Sequence, residues 1–390
     1  MPSPSVLDLE ASTVELMMRN VAVCCRQAKD LMPDVCLETI EIDDTPVTFG
    51  LVQTPEPDFD RRSPKNQSNV LLKSRAFSCN FRDKALLFSA LKTGSNRFYV
   101  LGSEFVGEVM EVGRKVADLQ VGDRVIGNNH YVGGQMNCPP YEGVPTDHAS
   151  KEYQVFHHQK LIKIPPEMSD EVAAGFSLGA QTAYSMIRKL EVKKASNVLV
   201  TAARSNTSLF AINGLRKYRA NIYATTTSRR SVKELLALGV KEVIQIDPTA
   251  GSFLQHRRVG KIFRDVGGFD CVVDPYFDIH LGKVIDLIAP GGRYVTCGLY
   301  DQYQALLGRD FQPQGLDLNA ILVWVIMRNL RLIGNCTGLT QDLQQAIDDY
   351  ASGCLAVIID SVFSGDEVGA FIHRTFSDPT RFGKVIYRYL

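Results

Sequence analysis

The chain has 390 residues, and its 43 Lys and Arg balance 43 Asp and Glu to a formal charge of zero. That balance argues against a nucleic-acid binder, which needs a basic surplus to neutralise phosphates, and against a polybasic membrane-surface protein. Hydrophobic residues at 45% and charged residues at 22% give a globular mix, long enough for two or three cored domains of roughly 150 residues.

The nine cysteines are scattered, and no C-x-x-C occurs. An odd, dispersed set reads as reduced intracellular thiols and excludes a four-cysteine zinc lobe. The apolar run Ala320–Met327 falls far short of the ~20 residues of a membrane helix. The opening MPSPSVLDLEAS lacks the basic start of a signal peptide, so a cytoplasmic protein is expected.

In chain order, Thr13–Lys29 is predicted as one helix, with an apolar stripe through Leu16, Met17, Val21 and Cys24. Residues 1–44 are set apart as an N-terminal extension that packs on the body or on a partner. Thr54–Ser68 is a Pro-rich polar connector. From Asn69 to Ile126, short strand-like runs broken by glycines predict a mostly β unit. The Gly- and Pro-rich loop Gly127–Asp147 follows, carrying His130, Tyr131 and Tyr141 where a substrate mouth is expected. Tyr131 is read as an acid or as a packing aromatic.

From Ala195 the rhythm changes. The runs VLVTAA, NIYATT, EVIQID, CVVDPY, RYVTCG and RLIGNCT are short buried strands, most of them alternating with helices. Such a series predicts an α/β fold with a doubly wound parallel sheet, whose ligand site lies along the strand C-termini. A helix over QDLQQAIDDYASG and a strand KVIYRY close the chain. Two units of this kind leave a cleft suited to a small molecule.

At this point the chain resembles the medium-chain dehydrogenase/reductases. The likeness runs through SCNFRDKALL, LGSEFVGEVMEVGRKVADLQVGDRVIG, AQTAY, VLVTAARSNTSLFAI, APGGRYVTCG and FGKVIYRY, in the family's order. It is closest to the zinc-independent branch of quinone oxidoreductases and polyketide-synthase enoyl reductase domains, whose Asn-Phe-Arg-Asp is similar to Asn80–Asp83. The resemblance implies a Rossmann domain over residues 168–340. It also implies a β-rich GroES-like catalytic domain over 45–167 and 341–390. No metal is expected: zinc-dependent members place ligands where this chain has Asn80, Ser103 and Leu178, and these make poor ligands or none.

The dinucleotide loop departs from the family. Zinc-independent relatives commonly read A-x-G-x-x-G, whereas this chain reads Ala203-Arg204-Ser205-Asn206-Thr207-Ser208. Ser205 places a side chain where backbone should meet phosphate, at a cost of ~1–3 kcal/mol if strain follows. Its hydroxyl can instead donate to phosphate, with Arg204 adding charge. After the second strand, Thr227-Ser228-Arg229-Arg230 offers no acid for a ribose 2′-hydroxyl. The two guanidiniums favour NADPH, or else begin a solvated helix.

The resemblance implies reduction of a conjugated double bond in an enoyl thioester, enone or quinone. Asn80 is read as a donor to substrate or cofactor, or as a turn amide. Lys84 is read as a proton donor, or as a solvent-facing or paired lysine, and Glu104 as structural. Tyr276 and Gly298 end successive strands beside the nicotinamide half. The edge strand RLIGNCT is similar to the one through which relatives form homodimers. A second reading is a reductase-derived partner protein, or a non-redox enzyme, whose nucleotide site has decayed.

Overall fold

The computed structural model describes residues 16–24, 37–93, 98–130, 142–302 and 317–389. All six strands expected after Ala195 are present. They are β1 (Asn197–Val200), β2 (Asn221–Thr226), β3 (Glu242–Gln245), β4 (Phe269–Asp274), β5 (Ile288–Thr296) and β6 (Arg331–Gly334). Every pairing among them is parallel, in the order β3-β2-β1-β4-β5-β6. This is the doubly wound arrangement, and its winding reverses between β1 and β4.

The two-residue period of a strand explains how the layers form. Val198 and Val200 point into one apolar cluster, shared with helices Ser177–Leu190 and Asn206–Leu215. Leu199 points the other way, into a second cluster with Tyr223, Phe269 and Val272. The side chains of Val198, Leu199 and Val200 are wholly buried. A strand covered on both faces must be apolar at every position, as VLV is.

The other unit is β-rich. Its seven-stranded sheet is built around Asn69–Ser78, which pairs antiparallel with Glu104–Val112 and with the closing strand Lys384–Arg388. The chain therefore returns to this unit after the parallel sheet and carries Lys384 with it. A four-stranded sheet packs beside it, with Met17–Cys24 between Thr45–Pro55 and Phe98–Val100.

The last placement corrects the helix expected over Thr13–Lys29, because Met17–Cys24 is a strand. Val21 and Val23 enter one cluster while Ala22 and Cys24 enter another, so both faces are buried. The apolar stretch Val21–Cys24 fits a covered strand as well as a helix, and periodicity does not separate the two. Among the described residues, no helix is long and apolar enough to cross a membrane. Ala320–Met327 lies on the helix Leu318–Arg328, which leaves Leu322, Val323, Ile326 and Met327 exposed.

Candidate functional site

Two cavities lie along the C-terminal edge of the parallel sheet. The larger, about 580 Å³, sits over β2 and β3, with Thr225, Thr226, Thr227, Ile246 and Pro248 in its wall. The smaller, about 310 Å³, sits over β4 and β5, with Pro275, Cys297 and Gly298 facing Asn80 and Thr182. Phe81, Ser205, Tyr276 and Arg381 line both and form the waist between them. At Gly298 an added Cβ would stand 3.0 Å from the Pro275 carbonyl oxygen, so a side chain there would crowd the wall.

The serine-substituted loop keeps its turn by local hydrogen bonding. Ser205 caps helix Asn206–Leu215, its Oγ accepting from the Ser208 N–H at 3.2 Å. Ser208, fully buried, donates its own hydroxyl to the Thr201 carbonyl at 2.8 Å. Ala202 completes the turn at φ +42°, a left-handed conformation that glycine adopts at lower cost. The Ser205 side chain thus folds back onto the helix. The cap and the first helical turn satisfy Ser208 and Leu209. That leaves the N–H groups of Asn206 and Thr207, which no residue within the helix satisfies, at the wall of the smaller cavity.

Beneath the waist, buried Asp274 accepts from Thr201 Oγ1 at 2.6 Å, His280 Nδ1 at 2.8 Å and the Tyr276 N–H at 2.9 Å, and also from the Tyr294 hydroxyl. Burial alone would raise this carboxyl, but these hydrogen bonds hold it below its ordinary range. They also fix the turn that presents Tyr276. Its ring packs edge-on against Phe81 and Tyr300, with centroids 5.5 and 5.6 Å away. Burial raises the Tyr276 phenol well above its usual value, so it stays protonated.

A second buried network lies behind Asn80. The Lys384 ammonium pairs with Glu104, both side chains being at most 1% exposed, and donates to Asn80 Oδ1 at 2.8 Å. Because lysine only donates, that contact fixes which end of the Asn80 amide is oxygen. The amide nitrogen then donates to Ser103 Oγ and Glu104 Oε2, each at 3.0 Å. The other oxygen of Glu104 accepts from the Leu178 and Gly179 N–H groups at 2.6 and 3.2 Å. A carboxylate thereby sits at the positive N-terminus of helix Ser177–Leu190. Asp83, 1% exposed, accepts from the Asn80 N–H at 2.6 Å and from Ser103, and burial pushes its carboxyl up to about 6. Among the described residues, no three His, Cys, Asp or Glu gather to hold a metal.

Comparison with known proteins places this architecture. Residues 66–166 match the alcohol dehydrogenase GroES-like domain. The chain is 24% identical to acryloyl-coenzyme A reductase of Metallosphaera sedula, over 83% of its own length and 94% of the relative's. It is 26% identical, over 71% of its length, to a mycocerosic acid synthase-like polyketide synthase of Mycobacterium tuberculosis, but spans only 12% of that protein. Both relatives share the order of segments along this chain, which is thus similar to the medium-chain dehydrogenase/reductases over most of its length. A crystal structure of an NAD-dependent alcohol dehydrogenase shares the fold, with a TM-score of 0.71 and 22% identity over 95% of this chain and 99% of that one.

Within this fold, the expected site residues divide. Ala203 is buried under the loop, while Ser205, Thr227, Tyr276 and Gly298 line the cavities. Asn80 also lines the smaller cavity, but its amide nitrogen already donates twice inside the protein, which displaces the expected donation to substrate. Lys84 stands outside both cavities, its ammonium paired with Asp43 and lying 5.5 Å from the Phe81 ring centroid. Arg204 is in the larger cavity's wall, yet its Nη2 donates to the Pro379 and Arg381 carbonyls at 2.8 and 2.7 Å.

Arg229 turns away from the larger cavity, donating to Gln245 Oε1 at 2.8 Å. Arg230, braced through its N–H on Ser228 Oγ, lies close enough to Arg204 that its charge adds to burial in lowering the Arg204 guanidinium. Tyr131 and Tyr141 lie outside the described residues.

Arg381, Lys384 and the Asp274–His280 pair are functional candidates that sequence reading missed. A lysine inside the otherwise apolar start of KVIYRY was the available signal for Lys384. No local pattern marks Arg381.

The site suits a nicotinamide dinucleotide, the cofactor class that the resemblance implies. Thr225 Oγ1 and Arg204 Nε are buried without a hydrogen-bond partner at residues that line the larger cavity. Orphaned polar atoms at a cavity wall fit a ligand with hydroxyls and phosphates.

Proposed function

We propose that the protein is an NADPH-dependent, zinc-independent reductase of conjugated double bonds, acting on an enoyl thioester, enone or quinone. The observation that carries this reading is the pair of cavities joined at one waist along the sheet edge, with helix N–H groups beside it. Zinc independence is supported by the Lys384–Glu104 ion pair, which meets Asn80 and its partner Ser103 where zinc-dependent relatives carry ligands. NADPH preference is supported by the end of β2. Thr225, Thr226 and Thr227 stand there in place of an acid, with Arg204 and Lys283 in the same cavity wall.

When bound, NADPH supplies the hydride that reduces the β-carbon of the conjugated system. The polar end of the substrate then carries developing enolate charge, which needs hydrogen-bond donors. Tyr276 presents a protonated phenol to the smaller cavity, and Thr182 adds a hydroxyl. Cys297 lines the same cavity, and burial pushes its thiol up to about 12. It therefore remains a neutral thiol, which does not add to an activated alkene as a thiolate would. Phe81 and Tyr276 pack together at the waist, with the Tyr300 ring against both on the side of the larger cavity.

We assign residues 45–167 with 341–390 to the catalytic domain and 168–340 to the nucleotide domain. The exposed apolar face of helix Leu318–Arg328, beside edge strand β6, supports a homodimer. Crotonoyl-CoA tests the chemistry. Loss of reduced-nicotinamide absorbance is expected with this thioester and NADPH, and none with saturated butanoyl-CoA. Failure to oxidise NADPH with any enoyl thioester, enone or quinone would overturn the assignment.

A further inference from the structure

Arg381 sits on the stretch of chain between helix Val368–Phe376 and strand Lys384–Arg388. This loop leaves the β-rich unit and reaches the waist between the two cavities. It is fixed from both sides. Arg374 holds Asp360 at 2.6 and 2.8 Å, Asp378 at 2.5 Å and Thr380 at 2.6 Å, and the Phe382 N–H donates to Asp360 at 2.7 Å. From the opposite wall, Arg204 holds the carbonyls of Pro379 and Arg381.

The consequence is a guanidinium with no directly bonded counter-charge. Asp360 and Asp378 both pair with Arg374, and Asp360 offsets Arg381 only through space. Among the described residues, the Arg381 guanidinium makes no hydrogen bond and no ion pair. Its surroundings lower its basicity, first by burial. Enclosing a guanidinium without a hydrogen-bonded counter-charge is costly, and a bound anion lowers that cost.

The two cavities indicate which anion. A dinucleotide with its adenosine half over β2 and β3 and its nicotinamide half over β4 and β5 must pass its diphosphate through the waist. That waist holds Arg381 and Ser205, next to the N–H groups of Asn206 and Thr207.

We propose that Arg381 binds the diphosphate of the dinucleotide, with Arg204 as the positioning residue that holds its loop in place. The inference rests on the dinucleotide reading above and names the residue that makes up for a loop without glycines. The charge that Arg204 was expected to give the phosphates comes from across the cleft instead. Arg204 itself serves as a clamp on backbone.

The test compares ADP-ribose, which carries the diphosphate, with adenosine 2′-monophosphate, which does not. Calorimetric titrations use the wild-type protein, Arg381→Ala and Arg381→Gln, with thermal melts showing that each variant is folded. Both substitutions are expected to weaken ADP-ribose by about tenfold or more and to leave adenosine 2′-monophosphate within about twofold. The double variant Arg204→Ala/Arg381→Ala is expected to be no weaker than Arg381→Ala alone, because one residue acts through the other. Unchanged ADP-ribose binding, or equal losses for both ligands, overturns the assignment while leaving the dinucleotide reading intact. Wild-type protein that binds neither ADP-ribose nor NADPH overturns both.

Discussion

Replacing Lys384 with Met is expected to cost about 3–5 kcal/mol of stability, because the Glu104 carboxylate is left buried without its counter-charge. Both side chains are almost fully enclosed, so water does not substitute for the lost ammonium. The damage spreads through shared partners. Asn80 Oδ1 loses its donor, and Glu104 is also the acceptor for the first turn of helix Ser177–Leu190. Lys384→Met/Glu104→Leu is expected to recover part of the loss, since it removes both charges. Denaturant midpoints at a common slope measure these differences. A loss below about 1 kcal/mol for Lys384→Met would show that the pair is not the buried link described here.

Asp83 is expected to make the protein less stable as pH rises. Its carboxyl titrates near 6 in the folded protein against 3.8 unperturbed, burial being the main cause. Between those values the native state holds a proton that the unfolded chain has released, so unfolding free energy falls with rising pH. At pH 7 the penalty amounts to roughly 3 kcal/mol, from a shift of about two units at 1.36 kcal/mol each. Asp83→Asn keeps an acceptor oxygen for Ser103 and the Asn80 N–H but carries no charge. The variant is expected to be the more stable protein at about pH 7 and to lose that advantage toward about pH 4. Parallel stability profiles for the two proteins would contradict the assignment.

The parallel sheet was legible because its strands are covered on both faces and separated by helices, which leaves isolated apolar runs such as VLV and CVV. The same logic hid Met17–Cys24, whose apolar end Val21–Cys24 served a helix template equally well. Positions of charge were legible, but their directions were not. Arg229 and Arg230 are neighbours, yet Arg229 reaches across to Gln245 on β3 while Arg230 lies near Arg204. Ser205 and Ser208 looked like obstacles in sequence. Each becomes compatible with the turn once its hydroxyl meets a local partner. Arg381 and Lys384 lay beyond local reading, because the contacts that define them join segments about 180 to 300 residues apart.

The serine-substituted loop, with the waist around it, is expected to admit a dinucleotide still. Titrating the wild-type protein with NADPH and with NADH, and following reduced-nicotinamide fluorescence, tests it most directly. Saturable binding of both is expected, tighter for NADPH, with enhanced and blue-shifted emission as the ring enters the smaller cavity. No binding of either at about 1 mM, equivalent to less than about 4 kcal/mol of affinity, would contradict it.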